Sequence, residues 1–212
     1  NKFLKKEVGL LGYKLIDKKY YKNKRSGSNT TSLKTDLILE NLFLNYNIKK
    51  IIQIGANDGD LFDELNIFIK KYKPESLLVE PIKYIFKNLK SNYKNFENVK
   101  LDNSAITVDK EISSLYRVKD ESIKFYDNHI KAISSFEKKH LISHGVLEKD
   151  IMIEKVETIT IRDLILKYNF NDFDLLYLDT EGYDGKIVKD FLITTKIRPF
   201  IIFEFIHIGN SL

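Results

Sequence analysis

The stretch Ile51-Ile52-Gln53-Ile54-Gly55-Ala56-Asn57-Asp58-Gly59-Asp60 decides the fold. A β-branched run stops at Gly55, and Gly59 closes the turn that follows. Glycine accepts positive φ and lets a ligand approach the backbone closely. Downstream, a second apolar run, Leu77-Leu78-Val79, ends in Glu80. The order is strand, tight turn, helix, and a second strand with a carboxylate at its tip. Such a carboxylate accepts two hydrogen bonds from a ribose diol. The pattern therefore predicts a nucleoside-cofactor pocket.

Working outward, strands and helices alternate. Strand 51–54 leads to a helix over 60–71, and strand 77–80 to a helix over 82–93. In the second helix Ile82, Ile85, Phe86 and Leu89 form one apolar stripe behind Pro81. A strand follows at 98–103. Residues 112–118 read as extended, and 135–143 as helical with Gly145 just past the end. Met152, Glu154, Val156 and Thr158 alternate with Ile151, Ile153, Lys155 and Glu157, as in a strand with one solvated face. Thr160 and Asp163 fit a capping box for a helix reaching Tyr168. Leu175-Leu176-Tyr177-Leu178 is a buried strand ending at Asp179, and a helix over 184–192 leads to a last strand, 200–204.

Upstream, Leu37, Leu39, Leu42 and Leu44 mark a helix, and residues 24–32 are a loop by composition. We expect a basic helix and loop extension over 1–34 and one domain over 35–212. The alternation predicts an α/β fold: a mostly parallel twisted sheet with right-handed crossovers and helices on both faces. Asp58, Glu80, Asp102, Asp179 and Glu204 then fall at or near the carboxyl ends of strands, where ligands of such sheets sit.

Composition narrows the function classes. A chain of 212 residues can bury a sizeable core. With no cysteine it has no disulfide, thiolate nucleophile or Cys-ligated metal, which fits a reducing cytoplasm, the expected location. No apolar run approaches the roughly 18 residues of a membrane span, so no integral membrane segment is expected. Much of the net charge of +5 comes from Lys5, Lys6, Lys14, Lys18, Lys19, Lys22, Lys24 and Arg25. We read them as a solvated face. No arginine-rich helix, zinc finger or RNA-binding aromatic motif supports a nucleic-acid partner. The first residue is Asn1 rather than Met, and a processed or trimmed product is expected.

The loop chemistry selects among cofactors. A dinucleotide fold shows G-x-G-x-x-G, whereas Asn57 stands where the second glycine belongs. Asp58 and Asp60 put negative charge where a pyrophosphate would lie. Acidic side chains instead favour the sulfonium and ammonium groups of S-adenosylmethionine. NAD is the disfavoured alternative.

The chain resembles FkbM-type methyltransferases, a family of class I S-adenosylmethionine-dependent enzymes. The resemblance is carried by residues 54–59, Val79-Glu80-Pro81, Asn103-Ser104-Ala105-Ile106 and Ser134-Ser135-Phe136 with His140 and His144. It continues through Val156 to Leu164, Leu178-Asp179-Thr180-Glu181-Gly182-Tyr183-Asp184, and Pro199 to Glu204. It implies a Rossmann-like class I fold and a cofactor bound by Gln53, Gly55, Ala56, Asn57, Asp58 and Gly59, with its ribose on Glu80 beside Pro81. It also implies an adenine near Asn103, Ser104 and Ala105, and Asp179 close to the cofactor. Members typically O-methylate hydroxyls, often on the sugars of glycans or glycosides, so a small-molecule or glycan acceptor is expected. The family pattern also carries a histidine directly after the fifth-strand glutamate; here Phe205 stands there and His207 lies two residues on. The class usually continues with a helix and an antiparallel strand pair. The chain stops at Leu212, so a fragment lacking that pair is expected.

Methyl transfer to a hydroxyl needs in-line positioning and a general base. Asp179, at a strand tip, is the leading candidate, followed by Glu181 and Glu204. His140 and His144, four apart, share one face of a helix and can act as a base or bind metal. No metal centre is expected; the alternative is a divalent site of Asp179, Glu181, Glu204 and His207. Tyr183 is placed either against a ligand or in the core, and Tyr177 in the core. Other function classes also fit the pattern: a methyltransferase for a protein or small-molecule acceptor, an NAD-dependent enzyme, or a non-catalytic nucleoside-binding module of a larger glycan-building protein.

Overall fold

The computed structural model describes residues 35–60, 63–108, 113–127, 130 and 133–203. The expectations for residues 1–34, Glu204, Phe205 and His207 lie outside the described residues. Five strands form the central sheet: β1 (Lys50–Ile54), β2 (Glu75–Val79), β3 (Val99–Asp102), β9 (Leu175–Leu178) and β10 (Phe200–Phe203). Their order is β10-β9-β1-β2-β3, and every neighbouring pair is parallel. The chain steps from β1 outward to β3, then crosses back to β9. Strand order thus reverses between β1 and β9, which opens a crevice at their carboxyl ends.

Because β strands alternate faces, consecutive residues feed two cores. Ile52, Ile54, Leu77, Val79, Leu176 and Leu178 pack under α5 (Ile161–Tyr168) and α6 (Asp184–Thr194). Ile51, Leu78, Leu175 and Tyr177 pack under α1 (Thr35–Asn45), α2 (Asn66–Tyr72) and α3 (Lys83–Asn92). Helices cover both faces, as the runs of buried β-branched and leucine residues require. This is a Rossmann-like α/β fold.

A second layer sits beyond the carboxyl ends. β4 (Ala105–Ile106) pairs with β8 (Thr158–Ile159), while β5 (Ser114–Val118) pairs antiparallel with β6 (Ser134–Ser135) and β7 (Ile151–Lys155). A short helix, α4 (Lys138–Ser143), follows β6.

Three boundaries differ from the sequence reading. The helix expected from residue 60 begins at Asn66, because the Asp63 carboxylate accepts the Leu65 amide at 2.8 Å and sets a turn first. The helix expected from 135 begins at Lys138, because Ser135 pairs with Tyr116 instead. The strand expected over 151–158 changes partner midway. It leaves β5 after Lys155, and the Glu157 carbonyl accepts the Ala105 amide at 2.8 Å to start the pairing with β4. The Thr160 cap is present, its hydroxyl accepting the Asp163 amide at 3.1 Å.

Candidate active site

At the point of strand reversal lies a cavity of about 240 Å³. Its floor is Ile54 and Gly55 after β1, Glu80 and Pro81 after β2, and Asp179 to Glu181 after β9. Ser104, Ala105 and Ile106 form one side; Leu115, Ser134 and Phe136 from the outer layer form the other.

Gly55 sits at φ +81°, and a Cβ there would lie 1.9 Å from the Asp179 carbonyl oxygen. No side chain fits, so the β1 and β9 tips can close together only on glycine. Gly59, at φ +69°, faces Tyr93 and Leu89 at 2.5 and 2.7 Å from its ideal Cβ, locking the turn against α3 and its exit. Between them the Gly55 and Ala56 amides both donate to the Val79 carbonyl at 3.0 Å, pinning the loop to β2. Asn57 takes a left-handed backbone at φ +50°, and its amide donates to Glu80.

Glu80 is the buried acid of the lining. It is only 5% exposed, and its two oxygens accept the Asn57 amide at 3.1 Å and the Ile82 amide at 2.9 Å. Burial pushes its carboxyl up to about 7, against the lowering pull of those two amides. One further lone pair on each oxygen is left for a ligand hydroxyl. The lining holds three acids, Glu80, Asp179 and Glu181, and no Lys or Arg. That sign suits a cationic ligand and opposes a pyrophosphate.

The opposite rim is made by the turn at 179–184. Asp184, fully buried, accepts the Thr180 hydroxyl at 2.9 Å and the Thr180 amide at 3.2 Å, and burial raises its carboxyl to about 6. Asp184 thus ties the turn shut. Glu181 carries a left-handed backbone at φ +52°. Its carbonyl accepts the Ser135 hydroxyl at 3.1 Å, and its carboxylate meets His140 Nε2 at 2.9 Å. The His144 ring lies beside that of His140, centroids 4.4 Å apart.

A family model for the methyltransferase FkbM domain matches residues 53–211. The chain belongs to that family. Comparison with curated proteins and with solved structures gives no match. Among the described residues no helix is long and apolar enough to cross a membrane.

Within this FkbM methyltransferase domain the residues singled out from sequence fall into three groups. Gly55, Asn57, Glu80, Pro81, Ser104, Ala105, Asp179 and Glu181 line the cavity. Gln53, Ala56, Gly59 and Asn103 lie behind it and hold it in shape. Gln53 is buried, its amide donating to Asp63 at 2.8 Å on the far face of β1. Ala56 is fully buried in the core under α1 to α3. The Asn103 amide bridges the Glu80 and Pro81 carbonyls at 2.8 and 3.0 Å. Asp58 is half-buried in the loop, its side chain accepting the Asp60 amide. His140 and His144 stand beside Glu181 on the rim. Asp102 is consumed by Ser104, Lys167 and Tyr168.

Sequence reasoning left out Thr180, Leu115, Ser134 and Phe136 as site residues. Phe136 packs edge-on against Tyr183 at 4.7 Å, which settles Tyr183 in the core, where its hydroxyl meets Thr107 at 3.3 Å. The spacing of Thr180 and Asp184 across a Gly182 turn was the available signal for that latch.

Proposed function

We propose that the chain is an S-adenosylmethionine-dependent O-methyltransferase that acts on a hydroxyl of a sugar in a glycan or glycoside. The observation that carries the cofactor is Glu80: a buried carboxylate at the tip of β2, aimed into an acidic cavity and oriented by two backbone amides. It suits a ribose diol, while the acids around it suit a sulfonium and an ammonium. Ser104 and Ala105 take the adenine side. For the acceptor, the reading rests on the family and on the outer wall, where Ser134 and Phe136 offer a hydroxyl and an aromatic surface with no positive charge among the lining residues.

S-adenosylmethionine, held by Glu80 and the loop at Gly55, would supply an electrophilic methyl to the acceptor oxygen and would depart as S-adenosylhomocysteine, its sulfur keeping the electron pair of the broken carbon–sulfur bond. The hydroxyl proton passes to a base. Asp179, exposed within the cavity two residues before Glu181, is the residue we assign. The His140–Glu181 pair positions the acceptor. Holding the reactants in line supplies several orders of magnitude, and the base about 10²–10⁴-fold.

The test is turnover. The chain is incubated with S-adenosylmethionine and a panel of glycosides and oligosaccharides, and S-adenosylhomocysteine is measured. Product formed only with a hydroxylated acceptor supports the proposal. No product with any acceptor, despite tight cofactor binding, turns the reading toward a binding module.

A further inference from the structure

We propose that His140, His144 and Glu181 form a binding site for one divalent transition-metal ion of the zinc class, at the acceptor end of the cavity. The ligand atoms of the three side chains all lie within 4.8 Å of one another. Ligands on a tetrahedral zinc at 2.0–2.1 Å stand about 3.3 Å apart, so small side-chain rotations close the set. Two imidazoles and one carboxylate leave a fourth position open, the arrangement of catalytic rather than structural ions.

Two further observations support the site independently of that spacing. The Nδ1 of His144 lies 2.9 Å from the His140 carbonyl oxygen. A carbonyl only accepts, so Nδ1 is the donor and Nε2 is the nitrogen that would ligate an ion. Metal-binding histidines are oriented in this way, by a donated bond from the second ring nitrogen. Glu181, in turn, occupies a left-handed backbone at φ +52°. That conformation is disfavoured for a residue bearing a Cβ, and such strain concentrates where a side chain must be aimed. The Ser135 hydroxyl, bonded to the Glu181 carbonyl at 3.1 Å, fixes the turn beside α4. The His140–Glu181 contact of 2.9 Å would be replaced by two bonds to the ion.

The role of the ion rests on the methyl-transfer reading. Glu181 lines the same cavity as Asp179, so an ion held by it would stand at the edge of that cavity. An acceptor hydroxyl taken as fourth ligand loses its proton more readily, as metal-bound water does. The proton goes to Asp179, the oxygen forms its bond to the methyl carbon, and the carbon–sulfur bond breaks to release S-adenosylhomocysteine.

The experiment uses the untagged chain, stripped with a chelator, without methyl donor or acceptor. Zn²⁺ is titrated against a chromophoric chelator, and Co²⁺ is followed by its visible absorption. One ion per chain with a four-coordinate Co²⁺ spectrum is expected. The dissociation constant should rise at least about tenfold in His144→Gln and in Glu181→Gln, each such step being about 1.4 kcal/mol. If Glu181→Gln does not fold, His144→Gln at the half-buried helix end carries the test alone. No stoichiometric ion in the wild-type chain, or unchanged affinity in the variants that fold, overturns the site. S-adenosylhomocysteine is titrated separately into the same samples. Cofactor binding without an ion removes the metal site and leaves methyl transfer; an ion without cofactor binding does the reverse.

Discussion

Along the wall made by β1 and β2, most ties that hold the cavity in shape involve main-chain amides; along the wall made by β6, α4 and residues 179–184, most start from side chains. On the first wall the Gly55 and Ala56 amides bond to Val79, the Asn57 and Ile82 amides to Glu80, and the strand tips touch through Gly55. On the second, Ser135, His140, Thr180 and Asp184 make the ties. A wall built from backbone suits the part of the substrate that never changes, which in the proposed reaction is the cofactor. A wall built from side chains can be altered one residue at a time without moving a strand, which suits the variable partner, the acceptor.

The first wall is most vulnerable at Gly55. Gly55→Ala puts a methyl against the Asp179 carbonyl at positive φ. Overpacking and left-handed strain together should cost about 4 kcal/mol of stability, seen as a large fall in the unfolding midpoint with loss of cofactor binding. A native midpoint would show that the two tips separate freely.

Next in size, Asp179→Asn should lower turnover by about 10²–10³-fold while changing S-adenosylhomocysteine affinity only a few-fold. Near-normal turnover would take the base role away from Asp179.

Glu80→Gln attacks the backbone-built wall chemically. Losing charge-assisted bonds to two hydroxyls should weaken S-adenosylhomocysteine by about two orders of magnitude, roughly 3 kcal/mol. Acceptor KM should move far less, and equal changes in both would blur the division of the walls.

The pH dependence follows from the same residue. The Glu80 carboxyl is raised from 4.5 to about 7 by burial. Between those values the folded chain holds a proton that the unfolded chain has lost, so stability of the free protein falls as pH rises through that window and levels off above it. Hydroxyl donors favour the ionised carboxylate, so cofactor affinity should rise over the same window. Thermal unfolding and binding measured from pH 5 to about 8 should show both slopes, each flattened in Glu80→Gln.

The smallest effect is expected at Ser135. Ser135→Ala removes the hydroxyl bonded to the Glu181 carbonyl, worth about 1 kcal/mol. Acceptor KM should rise about fivefold with cofactor affinity unchanged, which would sharpen the division.

The same contrast explains what was legible in the chain. Gly55, Gly59 and Glu80 could be read because backbone geometry imposes residue type at fixed spacing, and the Thr160 cap for the same reason. Burial on both faces made β1, β2 and β9 readable as continuous apolar runs. The helix start at Asn66 was hidden, since an Asx turn at Asp63 competes with helix using a residue that also suits a helix terminus. The meeting of His140 with Glu181 was hidden for another reason: two side chains forty-one residues apart in sequence leave no periodic trace. Gln53 looked like part of the loop, yet strand alternation sends it to the opposite face, where Asp63 receives it.

The proposed function turns on whether the cavity at the tips of β1 and β2 holds the methyl donor through Glu80. Titration calorimetry of S-adenosylhomocysteine into the chain, near pH 6.5 in two buffers of different ionisation enthalpy, tests it most directly. One site per chain and net release of a proton on binding are expected, with no binding of NAD. Binding of NAD alone, or cofactor binding with no proton released, would contradict it.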